Sequence, residues 1–167
     1  MADPFDLINS ITATAGIAGA ATKLSKSLLR TAREVGPASD DIRTFAMGIS
    51  AFSSVILLAH NALREHYARQ SHSSLLKFIN DHRILDQLAE QSVHLIEQVN
   101  LIRPRIESLR SRLDLICRFR WLRLKSEVHD IGLQMESVKM NLLLVIHVLA
   151  LDVYQMKELS RRARREM

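Results

Sequence analysis

Turn-forming residues are scarce in this chain of 167 residues, which has 5 Gly and 3 Pro. A fold of many short strands needs more of them, so the scarcity predicts few, long elements. A single cysteine, Cys117, excludes an internal disulfide and suits a reducing compartment. Its neighbour Arg118 could favour a thiolate, but no general base accompanies it, so a buried structural cysteine is expected. The uncharged N-terminal run from Leu7 to Thr22 is shorter than the ~20 residues of a membrane span. The acidic residues ahead of it, Asp3 and Asp6, have the wrong sign for a signal peptide, so a cytosolic location is expected. Catalytic motifs are missing as well: no phosphate loop, no Gly-rich dinucleotide fingerprint, no His-Glu-x-x-His. The seven histidines show no i, i+4 pair that would place two metal ligands on one helix face. The chain reads as non-enzymatic, with no cofactor or metal.

What the sequence has in abundance is helical periodicity. Apolar residues recur in alternating steps of three and four from Ile42 through Phe45, Ile49, Phe52, Ile56 and Ala59 to Leu63. A second seam runs from Leu85 to Ile116, and a third from Val128 to Leu149, followed by Asp152. Each keeps one apolar face over three or more heptads. Boundary signals agree: Asp3-Pro4 starts a helix, Gly36 stops it, and Asp40 and Asp41 fall in the next first turn. Arg69 to Ser74 reads as a turn and a new cap, and Ser126-Glu127 as the cap of the last helix. Pro104 lies in phase inside the second seam and predicts a kink. The expectation is an all-α, single-domain (1–167) antiparallel bundle of four or five long helices, spanning 1–34, 38–69, 74–117 (kinked near Pro104) and 126–160.

Net charge is +5, and residues 101–125 carry the excess, with 8 basic and 2 acidic groups. Within it, "CRFRWLRLK" interleaves Arg118, Arg120, Arg123 and Lys125 with Phe119, Trp121 and Leu122. That mixture suits a membrane interface, where Trp sits at headgroup depth and Arg meets phosphate; it also suits a connector whose aromatics plug the bundle. A second cluster, Arg161, Arg162, Arg164 and Arg165, adds phosphate-attracting charge near the end. Nucleic acid is the weaker partner, since no recognition-helix arrangement accompanies the charge. The first helix differs from the rest. "ITATAGIAGAA", Ile11 to Ala21, has no charge and no aromatic ring, and small residues recur at four-residue spacing. Such faces let helices approach closely in lipid or in a protein groove. Its bulky anchors sit on either side, so its middle is expected to be the most weakly held part of the bundle.

Three stretches together resemble the fungal HeLo-like domain at the N-terminus of STAND (NLR-like) receptors. They are the opening "MADPFDLINSITATAGIAGAATKLSKSL", then "AREVGPASDDIRTFAMGISAFSSVI", and "FRWLRLKSEVHDIGLQMESVKMNLLLVIHVL". The resemblance implies a bundle akin to the HeLo and mixed-lineage kinase-like cell-death domains. It implies a domain that rests in the cytoplasm, oligomerises, and carries its N-terminal helix to the plasma membrane in programmed cell death. That role would fall on Phe5, Leu7, Ile8, Ile11, Gly16, Ile17 and Gly19. Anionic lipid would be met by Arg118, Arg120, Trp121, Arg123 and Lys125, and by Arg161, Arg162, Arg164 and Arg165. The implied partners are an anionic membrane, further copies of the chain and an NLR-like regulator. The alternative is an oligomerisation module of a STAND-type protein without membrane activity.

Overall fold

The computed structural model describes residues 4–36, 38–69, 73–111 and 114–165, without side chains for 4–11, 111, 114, 160, 163 and 164. They form five α-helices: α1 (Pro4–Ala32), α2 (Ser39–Arg69), α3 (Ser74–Asp81), α4 (Ile84–Glu107) and α5 (Asp114–Arg165). One 3-10 turn (Ser108–Ser111) follows α4, and no strand occurs among the described residues. The all-α bundle expected from periodicity is what the chain adopts.

The helices form a ring in which α1 packs on α2, α2 on α5, α5 on α4 and α4 on α1. Directions follow from contacts at the two ends. Asp41 of α2 meets Trp121 and Lys125 of α5 at one end, and His66 meets Asp152 at the other, so α2 and α5 run parallel. Ser27 and Thr31 of α1 bond Glu107, at the end of α4, and Arg110, just beyond it, so α1 and α4 also run parallel. Only the consecutive pairs α1–α2 and α4–α5 are antiparallel. The connection through α3 carries the chain diagonally across one end of the bundle, where Leu76 and Ile79 of α3 are buried. The first and third seams are buried, Ile42 to Leu63 on α2 and Val128 to Leu149 on α5. The second is buried from Leu85 to Ile106 on α4 and on to Leu109, but Ile116 at its expected end is exposed and Leu113 lies outside the described residues.

Three boundaries depart from the sequence reading. The helix expected over 74–117 is broken at His82–Arg83, where Arg83 takes φ 50°, in the left-handed region. The left-handed residue is neither Gly nor Asn, and its N–H is held by the Asn80 carbonyl at 2.9 Å. His82 closes α3 by donating its backbone N–H to the Phe78 carbonyl, and Arg83 Nε pairs with Asp86 Oδ2 at 3.1 Å. Pro104 stands in the last turn of α4, and the chain then tightens into the 3-10 turn rather than continuing to 117. The basic stretch 118–125 is not a connector, and Ser126 caps nothing, because α5 runs unbroken from Asp114. At 52 residues α5 spans about 78 Å.

Two helices are also long and apolar enough to cross a membrane, Ser39–Arg69 and the 115–159 part of α5. The uncharged run that meets that length lies in α2, Thr44 to Leu63, and not at the N-terminus. In α2 the most apolar window is 44% buried, as expected of a core helix. In α5 only 22% of it is buried, so most of that apolarity faces outward.

Candidate functional site

The smooth helix α1 has two distinct faces. Ala18, Ala21 and Ser25 are buried against α2, whose Ala46 and Ser53 are equally small, so the backbones come close. Hydroxyls exploit the approach. Ser25 Oγ donates to the Ala46 carbonyl at 2.8 Å, and Ser53 Oγ, Thr22 Oγ1 and the Ala18 carbonyl form a three-oxygen cluster with 2.7–3.0 Å edges. Thr14 Oγ1 reaches His60 Nδ1 at 3.2 Å. Each such bond contributes about 0.5–1.5 kcal/mol net. The middle of α1 is therefore docked and clasped, contrary to the weak hold expected from its lack of bulk. Small size here permits backbone approach, and approach permits hydroxyl-to-carbonyl bonds.

Of the residues assigned to membrane insertion, Ile17 is buried in the core, while Gly16 and Gly19 are exposed on the other face. The side chains of Phe5, Leu7, Ile8, Ile11 and Arg164 lie outside the described residues. No heavy atom stands within 4 Å of where a Cβ would sit on Gly16 or Gly19, so neither glycine serves packing inside the chain. Gly16 borders an apolar groove of about 600 Å³ between α1 and α4, lined also by Ala13, Ala20, Ala89 and Val93.

The basic segment is sorted by the fold. Arg103, Arg105, Arg110 and Lys125 are held by Glu107, Glu127, Glu34 and Asp41. Arg118, Arg120 and Arg123 make no ion pair among the described residues and are exposed. Beside them on α5, Phe119 is 73% and Leu122 65% exposed. Trp121, expected at a lipid surface, is instead 5% exposed and belongs to the core. Its Nε1–H donates to Asp41 Oδ2 at 2.8 Å, and Lys125 Nζ reaches the same oxygen at 3.0 Å. The indole N–H first, and then the ammonium, hold the Asp41 carboxyl below the ordinary carboxylate range. The exposed aromatic of this segment is thus Phe119, with Trp121 as the plug. Arg161 pairs with Glu158 at 3.1 Å on the projecting end of α5, where Arg162 and Arg165 are exposed.

The sequence reading missed a polar junction. Asp152 Oδ2 lies 3.2 Å from His66 Nε2 and accepts the Ser73 Oγ hydrogen at 3.1 Å. Ser73 in turn caps α3 by accepting the Leu75 N–H. Asp152 therefore joins the end of α5 to the start of α3 and lies beside His66 of α2, whose two buried ring nitrogens have no hydrogen-bond partner among the described residues. His60 is half-buried and His147 exposed.

Between α2 and α5 runs a second groove, of about 300 Å³, lined by Phe45, Gly48, Gly132 and Leu133 with Lys125 and Glu136 at its rim. Gly48 and Gly132 also leave open space where a Cβ would stand. Helical glycine costs up to ~1 kcal/mol relative to alanine. Gly132→Ala should therefore stabilise the isolated chain by about 0.5–1 kcal/mol in urea denaturation. An unchanged or lowered midpoint would refute that open space. Among the described residues no three His, Cys, Asp or Glu side chains gather as a metal site. Compared with known protein families, with curated proteins and with solved structures, the chain finds no match.

Proposed function

We propose that this chain is a non-enzymatic effector domain that self-associates and acts at membranes carrying anionic lipid, with α1 as the element that enters the bilayer. The observation that carries the reading is one stretch of α5. There three exposed cations that make no ion pair among the described residues, Arg118, Arg120 and Arg123, flank the exposed Phe119 and Leu122. Arginine meets lipid phosphate while the apolar side chains enter the acyl boundary. The uncharged, open Gly16–Gly19 face of α1 supports the same reading, since nothing in the bundle requires it. The resemblance to HeLo-like domains of fungal STAND receptors supplies a setting. The domain rests in the cytoplasm under an NLR-like regulator and moves to the plasma membrane in innate-immune cell death.

The test is dye release from anionic and zwitterionic vesicles. The expected result is leakage from anionic vesicles by the intact chain, reduced at least tenfold by Arg118→Glu with Arg120→Glu, and likewise by Gly16→Glu with Gly19→Glu. Both pairs are exposed, so far-UV circular dichroism should show an intact bundle. Deleting residues 1–22 is a poorer test, because it removes the buried Ala18 and Ala21. Neither leakage nor vesicle binding by the intact chain would end the membrane reading. A second reading, a self-association module without membrane activity, is favoured by the outward apolarity of α5.

A further inference from the structure

Opposite its buried seam, α5 carries a second one. Leu115, Phe119, Leu122, Leu133, Met140 and Leu144 are all exposed and follow helical spacing along one line, with Ser126, His129 and Ser137 exposed between them. No Asp, Glu, Lys or Arg interrupts that line. A solvated helix face ordinarily carries charge, and an apolar line sustained over several heptads is the mark of a helix that packs on another helix. Within the bundle only its margins meet other helices: His129 and Leu133 border the groove against α2, and Leu144 borders a groove against α3 and α4.

We infer that the outward face of α5 is a homotypic interface, on which α5 of a second copy lies antiparallel. The inference rests on the self-association half of the proposed function; since it covers Phe119, Leu122 and Arg123, a copy in the dimer must release its partner before that stretch can meet lipid. Charge placement selects both the occupant and the direction. A two-fold axis that sets Ser126 against His129 of the other copy also sets Leu122 against Leu133 and Leu115 against Met140. It sets Phe119 against the exposed Glu136, whose stem can cover the ring while its carboxylate stays in water. The same register brings Arg123 opposite Asp130, twice by symmetry. Those two residues stand seven apart on one helix, both are exposed, and neither makes an ion pair among the described residues. They cannot meet within one chain. Asp130 and Glu136 beside the middle of the line would repel an anionic bilayer, whereas a second copy supplies an arginine to Asp130. From Leu115 to Met140 the line is about 38 Å long, and a helix about 10 Å wide covers roughly 400 Å² of it per copy. That is about half of a standard interface per partner, so a reversible dimer is expected rather than an obligate one.

The experiment is sedimentation velocity on the full chain over about a hundredfold concentration range without lipid, with charge swaps read as changes in dimer Kd. Wild type should show a concentration-dependent dimer. Leu133→Arg should abolish it, and Arg123→Asp or Asp130→Arg alone should raise Kd at least tenfold by facing like charges across the axis. The double variant R123D/D130R should return to within about threefold of wild type. All these positions are exposed, and circular dichroism of each variant confirms folding. A wild type that stays monomeric throughout, or a double swap as weak as the singles, overturns the interface. Loss of vesicle binding by Leu133→Arg in a chain that is monomeric in solution also overturns it and assigns the face to lipid. Loss of leakage with the dimer intact instead removes only the membrane reading.

Discussion

Trp121→Ala is expected to lower the unfolding free energy by about 3–5 kcal/mol, enough to cancel much of the stability of a domain this size. The indole is buried between α2 and α5 near the start of the α5 seam, with Cys117, Leu124 and Val128 buried on the same side. Truncation removes its apolar burial, opens a cavity, and leaves Asp41 with one of its two donors. Trp121→Phe separates these effects, since it keeps most of the ring volume and loses only the indole hydrogen bond, at about 1–2 kcal/mol. Asp41 makes the arrangement pH-dependent in a definite direction. Its folded carboxyl is held low, so its contribution is fully present above the unfolded value near 3.9 and is lost as pH falls through the folded value. Asp41→Asn should therefore trail wild type at pH 7 and close the gap in acid. That gap should stay below about 1 kcal/mol, because the Asp41 side chain is 45% exposed. Chemical denaturation followed by the emission of Trp121, the sole tryptophan, measures wild type and Asp41→Asn. Circular dichroism serves the tryptophan variants. A Trp121→Ala loss under 1 kcal/mol would show that the indole is not in the core.

Ala21→Leu is the second large expected effect, a loss of about 1–3 kcal/mol from overpacking. Ala21 is fully buried between the Ala18–Ser53 and Ser25–Ala46 contacts that join α1 to α2, and the added carbons would force α1 outward. Separation also stretches the Ser25–Ala46 and Ser53–Ala18 bonds on either side, which depend on that approach. The control is Gly19→Leu, the same kind of enlargement on the open face of the same helix, which should cost nothing measurable. Under the proposed function the two variants also differ at the vesicle. Loosening the clasp should let Ala21→Leu release dye at a lower protein concentration than wild type, while Gly19→Leu leaves the threshold near its wild-type value. Equal leakage thresholds for Ala21→Leu and wild type would separate α1 docking from membrane entry and count against α1 as the inserting element.

The all-α bundle, the α2 and α5 seams and the starts of α2 and α3 were legible in the amino-acid sequence. They rest on local rules: period 3.6, Asp in a first turn, and a serine cap. The break at Arg83 was not legible. It uses a left-handed residue that is neither Gly nor Asn, held by capping bonds that exist only once α3 and α4 are folded. The unbroken start of α5 was misread because basic and aromatic residues mixed together resemble a connector, although each is compatible with a helix. The second seam of α5 was present in the spacing all along. It went unseen because the buried seam on the other side already accounted for a helix there.

What the sequence determined by itself was an all-α chain with no catalytic or metal motif, a charge-free first helix and a basic stretch at 101–125. Tertiary structure decided which members of those sets are available. It buried Trp121 and left Phe119 outside, and it tied Arg105, Arg110 and Lys125 to acidic partners while Arg118, Arg120 and Arg123 make no ion pair among the described residues. It turned Ala18 and Ala21 inward and Gly16 and Gly19 outward. The physical reason is that composition and period specify what a face is made of, whereas ion pairing, close approach and exposure depend on which other helix lies against that face. That is settled only by the ring of α1, α2, α5 and α4 packing on one another.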